Sequence, residues 1–256
     1  MQSLALLVRL QRLSKMKKFY DRHDKVALLF SGGKDSLACL YMCKPYWDKT
    51  EVVWVDTGKN FPEIEEFMEE VKAMVPNFVK ITTHQDNFVK AYGYPSDVVP
   101  TKCDINGRNY GHAKVRQPMV SKYHCCANNI WHGIEQYMTS TDATGFIKGQ
   151  RFEDDHQAPW VKHFCIGSID REMFYPVANM TETDVLRYLL KQGVELTKRF
   201  MLSHSSLDCW DCMAYWEHLP ERLEYMQALH PEKYEHVVKI LENIKLDIAD
   251  DVKLLP

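Results

Sequence analysis

The stretch Val26-Ala-Leu-Leu-Phe30, followed at once by Ser31-Gly-Gly-Lys-Asp-Ser36, decides the fold of this chain. Five apolar residues that stop abruptly at a pair of glycines are typical of a buried parallel strand entering a tight turn. From Asp35 to Tyr46 the apolar residues recur at helical spacing, so the turn is expected to lead into a helix. The sequence therefore predicts a strand, a glycine turn and a helix in direct succession.

This glycine turn has the chemistry of a phosphate-binding loop. Two adjacent glycines allow the backbone to turn so that successive N–H groups point outward, and the positive end of the following helix adds to them. The loop is not a Walker A sequence, because it lacks the four-residue spacer and the Gly-Lys-Ser/Thr ending. We predict nucleotide contacts from Ser31, Gly32, Gly33, Lys34, Asp35 and Ser36, with Asp35 orienting Mg²⁺ or the loop itself.

Strands and helices alternate around this loop. Glu51–Asp56 and Phe78–Thr82 are predicted strands, and Pro62–Val75 is a predicted helix that begins at a proline. Thr144–Lys148 and Met173–Val177 are further strand candidates. This alternation predicts an α/β fold with an open, mostly parallel, doubly wound sheet.

The remaining segments set the predicted domain organisation. Tyr92–Tyr123 is rich in Gly, Pro, Asn and Lys, which favours active-site loops. Thr181-Glu-Thr-Asp184 has the form of a capping box before a helix that extends to about Gln192, and the pattern is helical again from Leu219. We predict a basic N-terminal helix in residues 1–22, a nucleotide-binding domain in residues 23–195, and a cysteine-containing segment with a helical C-terminal extension in residues 196–256.

Composition narrows the possible classes of protein. Of the 256 residues, 45% are hydrophobic and 26% are charged, which is enough for a core without disulfides or metals. The net charge of −3 gives no overall signature of a nucleic-acid-binding protein. The apolar stretch Leu4–Val8 is too short for a membrane span and is followed by basic residues, so we expect a cytoplasmic protein with no membrane partner.

Three sequence motifs resemble one enzyme family. The sequence SGGKDS after a hydrophobic strand resembles the PP-loop of ATP-pyrophosphatases, which release pyrophosphate and leave AMP on a substrate. Val55-Asp-Thr-Gly58 with the following Asn60–Glu63 is similar to the DTG…FPE segment of phosphoadenosine phosphosulfate (PAPS) and adenosine phosphosulfate (APS) reductases. Lys148-Gly-Gln-Arg151 is similar to the Gly-x-Arg element of the same family.

The resemblance implies roles for individual residues. Asp56 and Gly58 would lie near the adenosine, and Lys148, Gly149 and Arg151 would lie on the phosphate side of the nucleotide. Arg151 suits bidentate phosphate binding, and Lys148 suits a point-charge contact. The catalytic residues implied are Lys34, Asp35 and Arg151.

The cysteines form a second pattern. Cys125 and Cys126 are adjacent, and Cys209-Trp-Asp-Cys212 is a CxxC sequence, so the four thiolates make a complete ligand set for a metal or cluster. The arrangement resembles the [4Fe–4S] framework of APS reductases, and adjacent cysteines are unusual in structural zinc sites. Zinc, free thiols and a redox pair remain alternatives. The other cysteines, Cys39, Cys43, Cys103 and Cys165, are interpreted as core or loop residues.

Two departures from the reductases decide which branch the chain resembles. The sulfonucleotide reductases have a looser loop without the Gly-Gly-Lys-Asp core, and they carry a catalytic cysteine in a C-terminal Glu-Cys-Gly-Leu-His tail. This sequence has an ATP-type loop and no cysteine after Cys212. It therefore resembles the ATP-dependent sulfurtransferases of tRNA and the PAPS-reductase-like subunits of DNA phosphorothioation systems.

The leading hypothesis is an ATP-pyrophosphatase that adenylates an acceptor, tRNA or DNA, for sulfur transfer. Its expected cofactors are ATP, Mg²⁺ and a [4Fe–4S] cluster, with zinc as the alternative, and a cysteine desulfurase is a candidate sulfur donor. The alternatives are a sulfonucleotide reductase that uses another thiol, and a zinc-stabilised nucleotide-binding regulatory subunit. The basic N-terminal helix and the basic residues from Lys102 to Lys122 are candidates for guiding a polyanion, although solvated surface charge explains them equally well. The chain is also a candidate oligomer.

Overall fold

The structure, a computed structural model, describes residues 13–154, 161–166, 169–195 and 209–253. These residues cluster into two compact units. The first unit lies within residues 1–55, 62–81 and 135–196, and the second within residues 56–61, 82–134 and 197–256. Residues 1–12 of the predicted N-terminal helix lie outside the described part, and residues 13–20 of it are helical.

The strands and helices are numbered here in chain order. The strands are β1 (Val26–Leu29), β2 (Thr50–Asp56), β3 (Phe78–Thr82), β4 (Tyr94–Ser96), β5 (Met119–Ser121), β6 (Gly145–Lys148), β7 (His163–Ile166) and β8 (Ile169–Phe174). The helices are α1 (residues 13–20), α2 (Lys34–Met42), α3 (Pro62–Met74), α4 (Gln85–Tyr92), α5 (Ile105–Tyr110), α6 (Lys122–Cys126), α7 (His132–Ser140), α8 (Glu182–Lys191), α9 (Leu219–Leu229) and α10 (Pro231–Val252).

A six-stranded sheet carries the fold, with the strand order β3-β2-β1-β6-β8-β7. Strand β1 pairs in parallel with β2 on one side and with β6 on the other, and β6 pairs in parallel with β8. Strand β7 runs antiparallel to β8 at the sheet edge. Val26, Ala27 and Leu28 are fully buried, as expected for a central strand covered on both faces. The predicted open, mostly parallel α/β fold is confirmed.

Two predicted element boundaries were wrong, and a proline explains each. The helix expected to reach Tyr46 ends at Met42 and gives way to a 3₁₀ turn over Lys44–Lys49, because Pro45 has no N–H to continue the α-helical hydrogen bonds. The strand expected over Met173–Val177 is shifted toward the N-terminus and ends at Phe174. Pro176 cannot donate to a strand ladder.

In the second unit, the stretch expected to be irregular contains short elements. Strands β4 and β5 form a small parallel pair, and α5 lies between them in the chain. The helical C-terminal region is confirmed as α9 and α10, which meet at His230 and Pro231. The proline occupies the first turn of α10, where its missing N–H costs no hydrogen bond.

Candidate functional site

The glycine loop of the first unit has the predicted geometry. Gly32 has a φ of +79°, a left-handed conformation that favours glycine, and Gly33 is the extended N-cap of α2. The Ser36 hydroxyl donates to the Gly33 carbonyl at 2.9 Å and lies 3.3 Å from the Ser31 hydroxyl. Because the N-cap residue is a glycine, no side chain caps the first amides of α2. This arrangement is suited to an anion at the helix N-terminus.

Strand β6 brings the Gly-x-Arg element to the same loop. A Cβ atom added to Gly149 would lie 2.6 Å from the backbone nitrogen of Ser36, so only glycine fits at this approach. Two residues later, Arg151 Nε lies 3.0 Å from Asp35 Oδ1, and the Arg151 side chain is only 9% exposed. The structure therefore places two of the predicted phosphate-side residues, Gly149 and Arg151, against the glycine loop within one unit.

Carboxylates surround the two cations of this site. Lys34 Nζ lies 3.5 Å from Asp35 Oδ2 and 3.3 Å from Glu182 Oε1, at the first turn of α8. Arg151 also pairs with Glu153 at 3.2 Å and with Asp154 at 3.0 Å. Sequence reasoning identified Lys34, Asp35 and Arg151 but missed the surrounding acids. Two features of the sequence could have pointed to these acids: Glu182 lies inside the capping box, and two acids follow shortly after the Gly-x-Arg element.

Burial shifts the pKa of two predicted site residues. It raises the pKa of Asp35, against the opposing effects of Lys34 and Arg151. It lowers the pKa of Lys148, which Asp154 opposes. Asp35 Oδ1 is buried, and its contact with Arg151 Nε at 3.0 Å is an ion pair without hydrogen-bond geometry, so this oxygen is suited to accept a ligand or a cation.

In the second unit, Asp56 and Gly58 form a closed turn after β2. The buried Asp56 carboxylate accepts from the Gly58 N–H at 2.8 Å and from the Asn60 amide at 2.6 Å. Gly58 has a φ of +74°, which explains why this turn needs a glycine. The DTG sequence is thus a hydrogen-bonded strand-end turn, and the adenosine role of its residues stays a prediction.

All four predicted metal ligands belong to the second unit. Cys125 and Cys126 lie at the end of α6, which continues as a π-helical turn over Ala127–Trp131. Cys209 Sγ lies 3.3 Å from the Thr57 hydroxyl, and Cys126 Sγ lies 3.6 Å from the Tyr215 hydroxyl. The segment that leads to Cys209, residues 196–208, lies outside the described residues.

Cys125 interacts electrostatically with two of the other three predicted ligands, Cys126 and Cys212. Burial raises the pKa of Cys125 to about 12, with smaller contributions from Cys126 and Cys212. Within the described parts of the chain, no group of three or more His, Cys, Asp or Glu side chains is placed to hold a metal ion. A preformed site for one zinc is therefore not visible there. The ligands of a four-iron cluster bind different iron atoms and need not converge on one point.

The CxxC segment is attached to the strand-end turn of the same unit. The Trp210 N–H donates to the Lys59 carbonyl at 2.9 Å, and Lys59 Nζ lies 5.0 Å from the Trp210 ring centroid. The same ammonium pairs with Asp86 and lies 3.6 Å from the buried Asp211. Residues 56–60 and 209–211 thus form one connected element in the second unit.

Three of the basic residues proposed to guide a polyanion are paired with carboxylates inside the second unit. Lys102 pairs with Asp251 at 2.6 Å, and Lys122 is paired with Asp97. Arg116 pairs with both Asp247 and Asp250 of α10. These contacts favour a structural role for these three cations.

None of the helices within the described residues is long and apolar enough to cross a membrane. None of the eight cysteines forms a disulfide bond in the structure.

Comparisons with known proteins agree with this geometry. The sequence profile described as phosphoadenosine phosphosulfate reductase domain matches residues 25–215. The chain is 21% identical over 243 residues to an uncharacterized protein of Methanocaldococcus jannaschii, covering 92% of this chain and 53% of that protein. It thus spans about half the length of this curated relative.

Among solved structures, the PAPS reductase of Candida auris in a phosphate complex aligns with a TM-score of 0.54 and 12% identity. The alignment covers 79% of this chain and 89% of the other. At this identity the likeness shows the fold alone.

Proposed function

The chain belongs to the phosphoadenosine phosphosulfate reductase domain family, and on that premise we propose that it is a PP-loop ATP-pyrophosphatase that adenylates an acceptor for sulfur insertion. The observation that carries the proposal is the SGGKDS loop, with its uncapped helix N-terminus and with Lys34 and Asp35 beside Arg151. Such a loop supplies amides, hydroxyls and cations to a polyphosphate.

The proposed reaction has two displacement steps. An oxygen of the acceptor attacks the α-phosphorus of ATP, the bond to the oxygen that bridges the α- and β-phosphorus atoms breaks, and pyrophosphate leaves with that electron pair. AMP remains on the acceptor oxygen, which makes it a good leaving group, and a sulfur nucleophile from a donor protein then displaces AMP. Lys34 and Arg151 stabilise the charge that develops on the departing pyrophosphate.

Mg²⁺ would supply charge neutralisation to the polyphosphate when it is bound. The residue suited to hold it is Asp35, whose carboxylate lies beside the loop and whose buried Oδ1 has only an ion-pair contact with Arg151 Nε, without hydrogen-bond geometry. Mg²⁺ on nucleotides commonly uses one or two carboxylates together with phosphates and water. A single well-placed carboxylate is therefore a sufficient protein contribution.

Cys125, Cys126, Cys209 and Cys212 are the proposed ligands of a [4Fe–4S] cluster, which would supply redox or sulfur chemistry when bound. The adjacent pair Cys125 and Cys126, which is unusual in structural zinc sites, supports this proposal over a single zinc. A cytoplasmic location would keep these cysteines reduced until a cluster is inserted. A cysteine desulfurase remains the candidate sulfur donor.

We propose a nucleic acid, tRNA or DNA, as the acceptor. The support is the combination of an ATP-type loop with four cysteines, which resembles nucleic-acid sulfurtransferases. The neutralised basic residues Lys102, Arg116 and Lys122 do not add to this support.

Pyrophosphate release is the decisive test. The protein is purified anaerobically and incubated with Mg-ATP while AMP and pyrophosphate are measured, with Asp35→Ala as the inactive variant and exposed Asp48→Ala as the matched control. Release that only Asp35→Ala abolishes supports the proposal. Selective binding of APS or PAPS without ATP turnover would instead identify a sulfonucleotide enzyme, and ATP binding without turnover, with one zinc per chain, would identify a regulatory subunit.

A further inference from the structure

We infer that Glu182 is a positioning residue that competes with phosphate for Lys34, so that nucleotide binding requires Lys34 to exchange partners. The inference rests on the proposed nucleotide site and concerns its regulation. Glu182 lies 148 positions after Lys34 in the chain and reaches it at a distance of 3.3 Å between Oε1 and Nζ. It is not part of the family motifs identified in the sequence.

Glu182 closes a ring of charged contacts. The Glu182 N–H donates to Glu153 Oε2 at 3.3 Å, and the same oxygen lies 3.2 Å from Arg151 Nη1. Arg151 continues to Asp35 at 3.0 Å, and Asp35 returns to Lys34 at 3.5 Å. Both cations expected to hold phosphate are therefore held by carboxylates of the protein.

The carboxylate oxygens of Asp35 and Glu182 occupy positions around the Lys34 ammonium that phosphate oxygens would need. The Lys34 side chain is only 14% exposed and its ammonium has three donors, of which two already face Asp35 and Glu182. A polyphosphate that enters the loop must compete with these carboxylates for the same ammonium. The protein contacts thus lower the affinity of the site for an anion.

Of the two Lys34 partners, Glu182 is the one that can leave at low cost. Its side chain is 39% exposed, compared with 18% for Asp35, so water can solvate the released carboxylate. The start of α8 does not depend on it, because Thr181 and Asp184 form the capping box with each other. At the first turn of α8, the released carboxylate would still face the positive end of the helix.

Breaking the ion pair between Glu182 and Lys34 would also affect Arg151. Its N–H contacts Glu153, which is the partner of Arg151, so the two cations are linked through one backbone group of α8. Phosphate entry is expected to free Lys34 and Arg151 together. The ring of contacts therefore holds both cations in place when no nucleotide is bound. Its contacts with Glu182 and Glu153 break when a nucleotide binds.

The test measures binding of inorganic pyrophosphate by the full chain and by Glu182→Gln. The amide has the size of the carboxylate but lacks its charge, so we expect about five-fold tighter pyrophosphate binding, which corresponds to roughly 1 kcal/mol. The matched control is Glu70→Gln, an exposed acid on α3. A residue with a merely structural role would give weaker binding when changed, and thermal unfolding of both variants checks that they fold.

Tighter binding by Glu182→Gln alone supports the inference. Equal or weaker binding, or no pyrophosphate binding by any of the proteins at millimolar concentration, overturns it. The proposed function is judged separately by AMP formation from ATP in the unchanged protein. Tighter pyrophosphate binding without AMP formation would thus retain the role of Glu182 and reject the ATP-pyrophosphatase.

Discussion

The guanidinium of Arg151 lies 3.0 Å from the carboxylate of Asp35 and joins the residues after β6 to the first turn of α2. The two residues are 116 positions apart in the sequence, and each belongs to a separate motif. Arg151 also contacts Glu153 and Asp154, so one fork-shaped side chain organises three carboxylates. Lysine has no such planar fork.

If the chain has the proposed ATP-pyrophosphatase activity, Arg151→Lys should reduce pyrophosphate release by about 100-fold, because lysine keeps the charge but loses the planar fork that positions it. The free energy of unfolding should fall by about 2 kcal/mol, because charged hydrogen-bond partners are left without their contacts. Exposed Arg187→Lys is the control and should change neither quantity. Steady-state kinetics and urea unfolding provide the measurements, and full activity of Arg151→Lys would contradict the assigned role.

Gly149 should not tolerate a side chain. A Cβ atom there would lie 2.6 Å from Ser36 N and 2.7 Å from the Asp35 carbonyl carbon, so Gly149→Ala must push the PP-loop away from β6. We expect a loss of about 2 kcal/mol in the free energy of unfolding and weaker pyrophosphate binding.

The matched control for this change is Gly193→Ala. Gly193 has a φ of +78°, but nothing lies within 4 Å of an added Cβ atom, so this change tests backbone strain without a clash. It should lower stability by about 1 kcal/mol and leave pyrophosphate binding unchanged. Equal effects of the two changes on binding would argue against a role for Gly149 in the loop.

The buried ammonium of Lys148 should destabilise the folded protein, while its charge should favour pyrophosphate binding. Burial lowers its pKa below the usual 10.5, so between the folded and unfolded pKa values the unfolded chain binds more protons. The free energy of unfolding should therefore rise with pH in this alkaline window and fall as the pH drops through the folded pKa. Lys148→Met should remove this dependence and raise stability at pH 7 by about 1 kcal/mol.

The same Lys148→Met protein should bind pyrophosphate more weakly, because it lacks the point charge. Urea unfolding at neutral and alkaline pH, together with pyrophosphate titration, measures both effects. Exposed Lys191→Met serves as the control for a lost surface charge. A less stable Lys148→Met protein would show that the ammonium has partners that offset its burial.

In the second unit, Asp247 of α10 should control the loop that precedes β5. This fully buried carboxylate accepts from the N–H groups of Arg116 and Gln117 at 2.9 and 2.8 Å, and from the Arg116 side chain at 2.9 Å. Asp247→Ala should lower the free energy of unfolding by about 3 kcal/mol, because three donors lose their acceptor. It should also make residues 111–118 more susceptible to proteolysis.

Asp250→Ala is the matched control, because Asp250 contacts the same arginine but is 40% exposed. Asp250→Ala should lower the free energy of unfolding by less than about 1 kcal/mol. Limited proteolysis followed by mass spectrometry and urea unfolding distinguish the two. Equal losses for both variants would show that α10 does not hold the loop through Asp247.

The four cysteines should act as one set in iron binding. After anaerobic reconstitution we expect about four iron atoms per chain, and loss of most of this iron in Cys126→Ser or Cys212→Ser. The exposed Cys165→Ser is the control and should keep its iron. Iron and zinc analysis with visible absorption measures the outcome, and one zinc per chain without iron would reject the cluster.

The sequence by itself determined the central part of the fold. An apolar run such as Val26–Phe30 that stops at two glycines favours a buried strand followed by a tight turn, and the turn presents the first helical amides outward. These are local properties of the backbone, so they can be read from neighbouring residues. The family assignment likewise follows from short contiguous motifs. The ends of α2 and β8 were predicted wrongly because Pro45 and Pro176 outweighed the apolar pattern.

Only the tertiary structure decided which charges meet. Lys34 and Glu182 are 148 residues apart, and no spacing rule connects a PP-loop lysine with a capping-box glutamate. The neutralisation of Arg116 by Asp247 and the division of the chain into two units likewise depend on contacts between distant segments. Long-range ion pairs follow from how helices pack on the sheet and from which side chains become desolvated there. A local sequence pattern describes neither the packing of helices on the sheet nor the desolvation of side chains. The glycine turn, in contrast, is fixed by backbone sterics within six residues.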